Sequence, residues 1–465
     1  MLKFNFKQRK DKVKYMKYSL RHWLQHWLQH FLRVYANIRI QHSFKQRIIF
    51  NLHFFLLCAL AGIGSALFSM ATDQAVIYCQ KFFHYFHYWV LLYIPLIFML
   101  IMFLFKRYFP YAGGSGLPQG YALDVFAAPE LMQTYSIKTM LGKILLTIMS
   151  ILGGASLGRE GPTIQICASI FASMKNISLE RKKFLIRIGS GVGVATAFNA
   201  PLGGIVFALE EYIRHSNSQI NVFLLSGIGI AGYFMVLVSG DYSYMGSINV
   251  HALYYSWQII LIAIACGMLC GLIGAVYIWL MVFVSVGKDS RFCNWRKKHV
   301  VKNACMFGVL VAVLGLLTDG ISFSNGADAT SVFLNTNTVA PWYYGLCKAL
   351  GSIFSVAAGV PGGYFSTALS IGAGIMDLVH KALPILPLQQ FYLLGMVGFL
   401  AAITGAPITA VVMIMSIVSD TQHFALPLIL SSLISSKISR MFGDSVYHQQ
   451  VLIYISKDRY NETRG

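Results

Sequence analysis

The sequence predicts an all-α, polytopic membrane protein made of two repeated halves with interrupted helices. Three observations carry that expectation. The chain is 56% apolar and only 12% charged over 465 residues, with a mean hydropathy of +0.61, a balance foreign to soluble domains. Apolar runs near or beyond the ~20 residues that cross a bilayer recur at 48–71, 89–105, 222–238, 259–286 and 305–317 with its flanks. Glycine-rich breaks interrupt apolar sequence at corresponding places in two halves, roughly 48–240 and 250–455.

The net charge of +20 would suggest nucleic acid in a soluble protein, but the basic residues lie mostly in the N-terminal segment and in short loops. That is a topology signal, so the expected partner is the lipid bilayer and not nucleic acid. Residues 1–47 carry twelve Lys/Arg and one acid, Asp11, which places them in the cytoplasm. Within them His22, His26 and His30 repeat every four residues beside Trp23, Trp27 and Phe31. The histidines suit metal binding or pH sensing; the plainer reading is a basic aromatic helix lying on the inner leaflet. The basic region before the first apolar run is too long for a cleavable signal peptide. Eight cysteines fall singly, without CxxC spacing, and support neither a disulfide framework nor a zinc site.

Residues 48–71 then exit to the far side and 89–105 return to Lys106 and Arg107, in accord with the charge rule. The next stretch, Tyr111-Ala-Gly-Gly-Ser-Gly-Leu-Pro-Gln-Gly120, is too glycine-rich for a helix. Irregular backbone at membrane depth belongs beside a cavity, where the Ser115 hydroxyl and backbone N–H groups can donate to an anion; an ordinary interhelical turn is the alternative. Residues 143–154 read as helix. They run into the central stretch, Gly158-Arg159-Glu160-Gly161-Pro162, after which another helix starts with proline in its first turn. A helix N-terminus offers unsatisfied N–H groups and the positive end of a dipole. Glu160 is therefore an anion tethered to an anion site, able to occupy it or, once protonated, to leave.

Glu180-Arg-Lys-Lys183 and residues 288–302 read as basic loops, while 318–331, with Asp319 and Asp328 and no basic residue, suits the outside. The third break is Gly359-Val-Pro-Gly-Gly-Tyr-Phe-Ser-Thr367, where Tyr364 and Phe365 present N–H groups at the start of a helix running from Ala368. Asn199-Ala-Pro-Leu-Gly-Gly lines up with Gly405-Ala-Pro-Ile-Thr-Ala, and Gly158 then takes the place of Gly362. Paired breaks of this kind point to a secondary transporter with its site near the midplane.

Taken together, Gly114-Ser-Gly-Leu-Pro118, Gly158-Arg-Glu-Gly-Pro162 and Gly362-Gly-Tyr-Phe365 resemble, in order, the motifs of the CLC family of chloride channels and chloride/proton antiporters. The likeness covers roughly 48–455, leaving a short cytoplasmic tail, 456–465. It implies a CLC-type homodimer, each subunit an inverted repeat of tilted and interrupted helices with its own anion pathway, in a bacterial inner membrane with both termini cytoplasmic. It further implies chloride and protons as the transported species, with no cofactor or metal. Ser115 and Tyr447 would line the inner part of the pathway. Backbone groups of Gly158, Arg159, Gly161, Tyr364 and Phe365 would form the central part, and Glu160 the outer gate. Glu211 matches the family's internal proton-transfer glutamate, although by itself the Leu-Glu-Glu end of that helix also reads as a solvated terminus. Two positions depart from the family pattern: Thr367 stands for a proline and Ser416 for a glutamate. The end at Gly465 leads one to expect a compact, prokaryote-like member without cytoplasmic regulatory domains.

Other classes fare worse. An intramembrane enzyme would need HExxH, or GxSxG with a histidine at membrane depth, and neither is found in the sequence. Transport by exchange is the expectation, with a passive chloride channel on the same scaffold as the alternative.

Overall fold

The computed structural model describes residues 44–125, 129–175, 177–215, 222–240, 244–246, 257–286 and 291–451. The His/Trp repeat of 22–30 and the tail 456–465 lie outside them. Contacts divide the chain into residues 1–55 and a second unit, 56–465, that holds the site. Its described parts are helical.

Helix α1 (Phe44–Phe86) and α2 (Val90–Arg107) are joined by a single turn of 3-10 helix, His87–Trp89. The first apolar run ends near residue 71, yet α1, 43 residues in all, continues to Phe86 because nothing between Thr72 and Phe86 is glycine or proline. At 1.5 Å per residue it is about 65 Å long, twice the hydrocarbon core of a bilayer. Next come α3 (Leu117–Val125), α4 (Ile137–Leu152), α5 (Glu160–Ala172), α6 (Leu179–Ala197), α7 (Pro201–His215) and α8 (Val222–Ser239). The second half holds α9 (Trp257–Ser285), α10 (Arg291–Lys298), α11 (Val300–Leu317), α12 (Ala327–Thr336) and α13 (Tyr344–Ala358). It closes with α14 (Phe365–Ala382), α15 (Leu388–Thr404), α16 (Pro407–Ile417) and α17 (Ala425–Phe442).

Several boundaries differ from the sequence reading. Leu117-Pro118 opens α3, because a proline in the first turn forfeits no helix bond. For the same reason Pro162 is accommodated as the third residue of α5. The basic run Glu180–Lys183 is the first turn of α6, capped by the Ser178 hydroxyl accepting from the Arg181 N–H at 3.4 Å, and much of the expected third basic loop is α10. Helix α14 starts at Phe365, three residues before Ala368.

The repeat is visible in the packing. Helix α5 lies along α6 as α14 lies along α15, α6 meets α7 as α15 meets α16, and the halves are joined where α7 meets α16 and α2 meets α11. Asn199 and Gly405, aligned by sequence, both have left-handed backbone, φ 51° and 71°, and each precedes an Ala-Pro helix start. Starting α5 at Glu160 and α14 at Phe365 pairs Gly158 with Gly363, one residue beyond the sequence alignment.

Among the described residues four stretches are long and apolar enough to cross a membrane: Ile48–Arg107, Val222–Ser239, Trp257–Ser285 and Val300–Leu317. Between them stand shorter apolar helices, among them Tyr344–Ala358 and Leu388–Thr404. Leu96 and Phe103 on α2 and Leu272, Val276 and Trp279 on α9 are exposed, an outer surface fit for lipid. By contrast α5 and α15 are buried almost throughout, as expected of helices apolar all round.

Candidate functional site

The site forms where α4 and α13 stop and α5 and α14 begin. Gly154 and Gly359 turn the chain with φ +74° and +91°, and the two segments that follow then meet. The Gly158 N–H donates to the Gly363 carbonyl at 2.8 Å and the Gly363 N–H to the Gly158 carbonyl at 2.6 Å. A Cβ on Gly363 would stand 2.6 Å from the Gly161 nitrogen, so the two helix starts abut. Neither Arg159 nor Tyr364, the residues at the N-caps, caps its helix with its side chain. The first turns of two helices thus lie together without a side-chain cap, and uncapped helix N-termini are chemistry suited to an anion.

Glu160 is fully buried and reaches across to the other half. One carboxylate oxygen, Oε1, accepts from the Tyr244 hydroxyl at 3.1 Å and from the hydroxyl of Ser366, in the first turn of α14. The other, Oε2, folds over Gly158, where a Cβ would come within 2.0 Å of it. Only glycine leaves room for this pose. The tethered anion thus sits at the N-terminus of α14.

Arg159 does not pair with Glu160. Its guanidinium forms an ion pair with Asp73 on α1, donates to the Ser69 carbonyl at 3.0 Å and to the Thr72 hydroxyl at 3.3 Å, and lies over the Tyr244 ring at 5.5 Å. Only its backbone remains for the part in anion binding that the resemblance implies. Beyond lies a cavity of about 140 Å³, lined among others by Asp73, Arg159, Tyr244, Asn325 and Asp328.

The first break joins the other two. A Cβ on Gly161 would lie 2.9 Å from the Ser115 hydroxyl oxygen, which sets Ser115 against the start of α5. Lys143 on α4, buried, donates to the carbonyls of Gly113 and Gly114 at 2.9 and 2.8 Å. Drawing those two carbonyls to an ammonium leaves the rest of the turn free to present donors. Lys348 on α13 does the same in the second half, holding the carbonyls of Ser322, Phe323 and Ser324 at 3.0, 2.6 and 2.9 Å.

Tyr447 stacks on Tyr364, with ring centroids 5.7 Å apart, and on Phe365 at 5.9 Å. It therefore belongs to the third break despite its distance in sequence. Its hydroxyl and that of Ser115 are buried and have no hydrogen-bond partner among the described residues. Two buried hydroxyls without a partner beside two helix N-termini are chemistry suited to an anion. The Tyr364 hydroxyl accepts from Gln450 at 3.3 Å.

Glu211 lies in α7, but its side chain is outside the described residues. Its neighbour Glu210 is no solvated terminus: its carboxylate accepts from Ile408 and Thr409 in the first turn of α16. Ser416 bonds within its own helix, to the Val412 carbonyl at 2.7 Å, and Thr367 occupies the first turn of α14, buried. The sequence reading missed Tyr244, Ser366, Asp73 and the two lysines. Lone lysines within apolar helices were the available signal for the last pair.

Broken helices whose N-termini converge on a buried, tethered carboxylate define an integral membrane protein that handles anions. The chain belongs to the voltage gated chloride channel family, whose sequence profile matches residues 97–440. Relatives include the H(+)/Cl(-) exchange transporter ClcA of Vibrio vulnificus, 27% identical over 373 residues, spanning 75% of this chain and 76% of that protein. ClcA of Salmonella arizonae is 25% identical over 427 residues, covering 85% and 87%. Among solved structures, a slow cyanobacterial Cl-/H+ antiporter superposes with a TM-score of 0.75 over 88% of this chain and 98% of that one, at 22% identity. A CLC-type fluoride/proton antiporter gives 0.75 over 88% and 99%, at 19%. The fold expected from the sequence is the fold found.

Proposed function

We propose that the protein exchanges chloride for protons across the membrane, with Glu160 as the outer gate and proton acceptor. The observation that carries this reading is the Glu160 carboxylate seated at the N-terminal turn of α14. A carboxylate held where a transported anion would bind competes with it, and protonation removes the competitor. Chloride entry and proton uptake are then one event. The relatives' description as exchange transporters supports this over a passive channel.

In this reading chloride is held by backbone N–H groups around Gly158, Arg159, Gly161, Tyr364 and Phe365. Further in, it meets the hydroxyls of Ser115 and Tyr447. Donors aimed at an anion repel a proton, so protons need acceptors of their own, and Glu211 near the cytoplasm relays them to Glu160. We read the protein as a homodimer in a bacterial inner membrane with cytoplasmic termini, as the family resemblance implies.

The test is reconstitution in liposomes with chloride and proton movement recorded together. A chloride gradient should drive protons uphill in the wild type, and Glu160→Gln, a neutral mimic of the acid, should pass chloride without protons. Dissipation of a chloride gradient by the wild type with no proton movement would make the protein a channel. Normal proton pumping by Glu160→Gln would remove Glu160 from the gate.

A further inference from the structure

The linker between the two repeats sends a side chain into the site. Of that linker, between α8 and α9, residues 244–246 are held by backbone bonds to the second half. The Met245 N–H donates to the Ile417 carbonyl at 3.0 Å, and the Gly246 carbonyl accepts from Ser419 at 3.1 Å. The Met245 carbonyl accepts from the Asn335 side chain at 3.2 Å. These pins fix Tyr244. Its ring packs edge-on against Phe198 at 5.6 Å with the Arg159 guanidinium over its face at 5.5 Å. Its hydroxyl accepts from Asn325 at 3.2 Å and donates to Glu160 at 3.1 Å.

We propose that Tyr244 is a positioning residue that latches the gate: its hydroxyl holds the ionised Glu160 carboxylate in the anion site and sets how readily protons and chloride dislodge it. This rests on Glu160 being the gate. A hydrogen bond donated to a carboxylate favours its ionised form. When the carboxylate leaves, the hydroxyls of Tyr244 and Ser366 are already 3.1 Å apart, within reach of each other. The Tyr244 hydroxyl therefore has an acceptor in both states. Other charged or titratable groups around the gate are Arg159 beside it, Asp73 from α1, Asp328 from α12, Lys348 from α13 and Tyr447 beyond α17. Among the described residues the carboxylate accepts from Tyr244 and Ser366, so removal of the Tyr244 hydroxyl alters its bonding directly.

The experiment measures chloride and proton flux in liposomes against pH for wild type, Tyr244→Phe, Asn325→Ala, Glu160→Gln and the Tyr244→Phe/Glu160→Gln double variant. Tyr244→Phe removes one oxygen, and Asn325→Ala removes only the donor to that oxygen. The pH of half-maximal transport should rise by roughly one unit in Tyr244→Phe, the order of one lost bond to a charged group, and by less in Asn325→Ala. Chloride should half-saturate at lower concentration, and the proton-to-chloride ratio should stay as in the wild type. On the Glu160→Gln background the same substitution should change nothing. Wild-type pH profiles in both single variants, or an equal shift without the glutamate, would overturn the latch while Glu160→Gln remained uncoupled. Proton pumping by Glu160→Gln would overturn the gate itself.

Discussion

Glu210, in the C-terminal half of α7, caps α16 through Thr409. Its Oε2 accepts from the Thr409 N–H at 2.7 Å and the Thr409 hydroxyl at 2.8 Å, while Oε1 accepts from the Ile408 N–H at 3.2 Å. A carboxylate at a helix N-terminus satisfies orphan donors and meets the positive end of the dipole. Here donor and acceptor come from opposite repeats, so the cap also joins the halves. Glu210→Ala should destabilise the protein by about 1–2 kcal/mol, read as a lower melting temperature in detergent. An unchanged melting curve would show that the cap contributes nothing.

The adjacent glutamate should behave differently. Glu211→Gln should stop proton movement while chloride still flows, with little change in melting temperature. If Glu211→Gln still pumps protons, the relay runs through another group.

Ser115 and Tyr447 make a third test. Hydrogen bonds to a charged partner contribute about 1.5–3 kcal/mol, so Ser115→Ala and Tyr447→Phe should each weaken chloride binding roughly tenfold, measurable by isothermal titration. Because these hydroxyls have no hydrogen-bond partner among the described residues, their removal should leave stability near wild type. Unaltered affinity in both would move the pathway elsewhere.

Gly158 gives a prediction about the gate's pose. A methyl group there would collide with Oε2 of Glu160, so Gly158→Ala should expel the carboxylate from its seat. Chloride should then pass with weakened proton coupling, approaching Glu160→Gln. Full coupling in Gly158→Ala would mean that the carboxylate works from another position.

What the sequence disclosed and what it hid divide along a physical line. Glycine-rich breaks flanking a glutamate within apolar sequence are local signals, and they singled out Ser115, Glu160, Tyr364 and Phe365, which the structure brings together. Tyr447 was placed by its family resemblance, since its own surroundings in sequence are unremarkable. Tyr244 and Asp73 act on residues 84 and 86 positions away, and no local pattern encodes such a meeting. Nor does helix periodicity show that Glu210 faces α16, since that depends on how the repeats dock. The lysines were within reach: Lys143 and Lys348 are separated by the same number of residues as Glu160 and Phe365, and repeat symmetry would have paired them.

The reciprocal bonds between Gly158 and Gly363 limit how this protein can move. They join the two repeats next to Glu160, where a transporter that rocks its halves apart would need to part them. Tilting one half against the other would break both bonds in a buried place and leave four polar backbone groups without partners, at about 1–3 kcal/mol apiece. Swinging one carboxylate between two hydroxyls and the cavity beyond breaks neither. On the exchange proposed above, a gate that moves by side-chain rotation alone would leave this backbone nearly still.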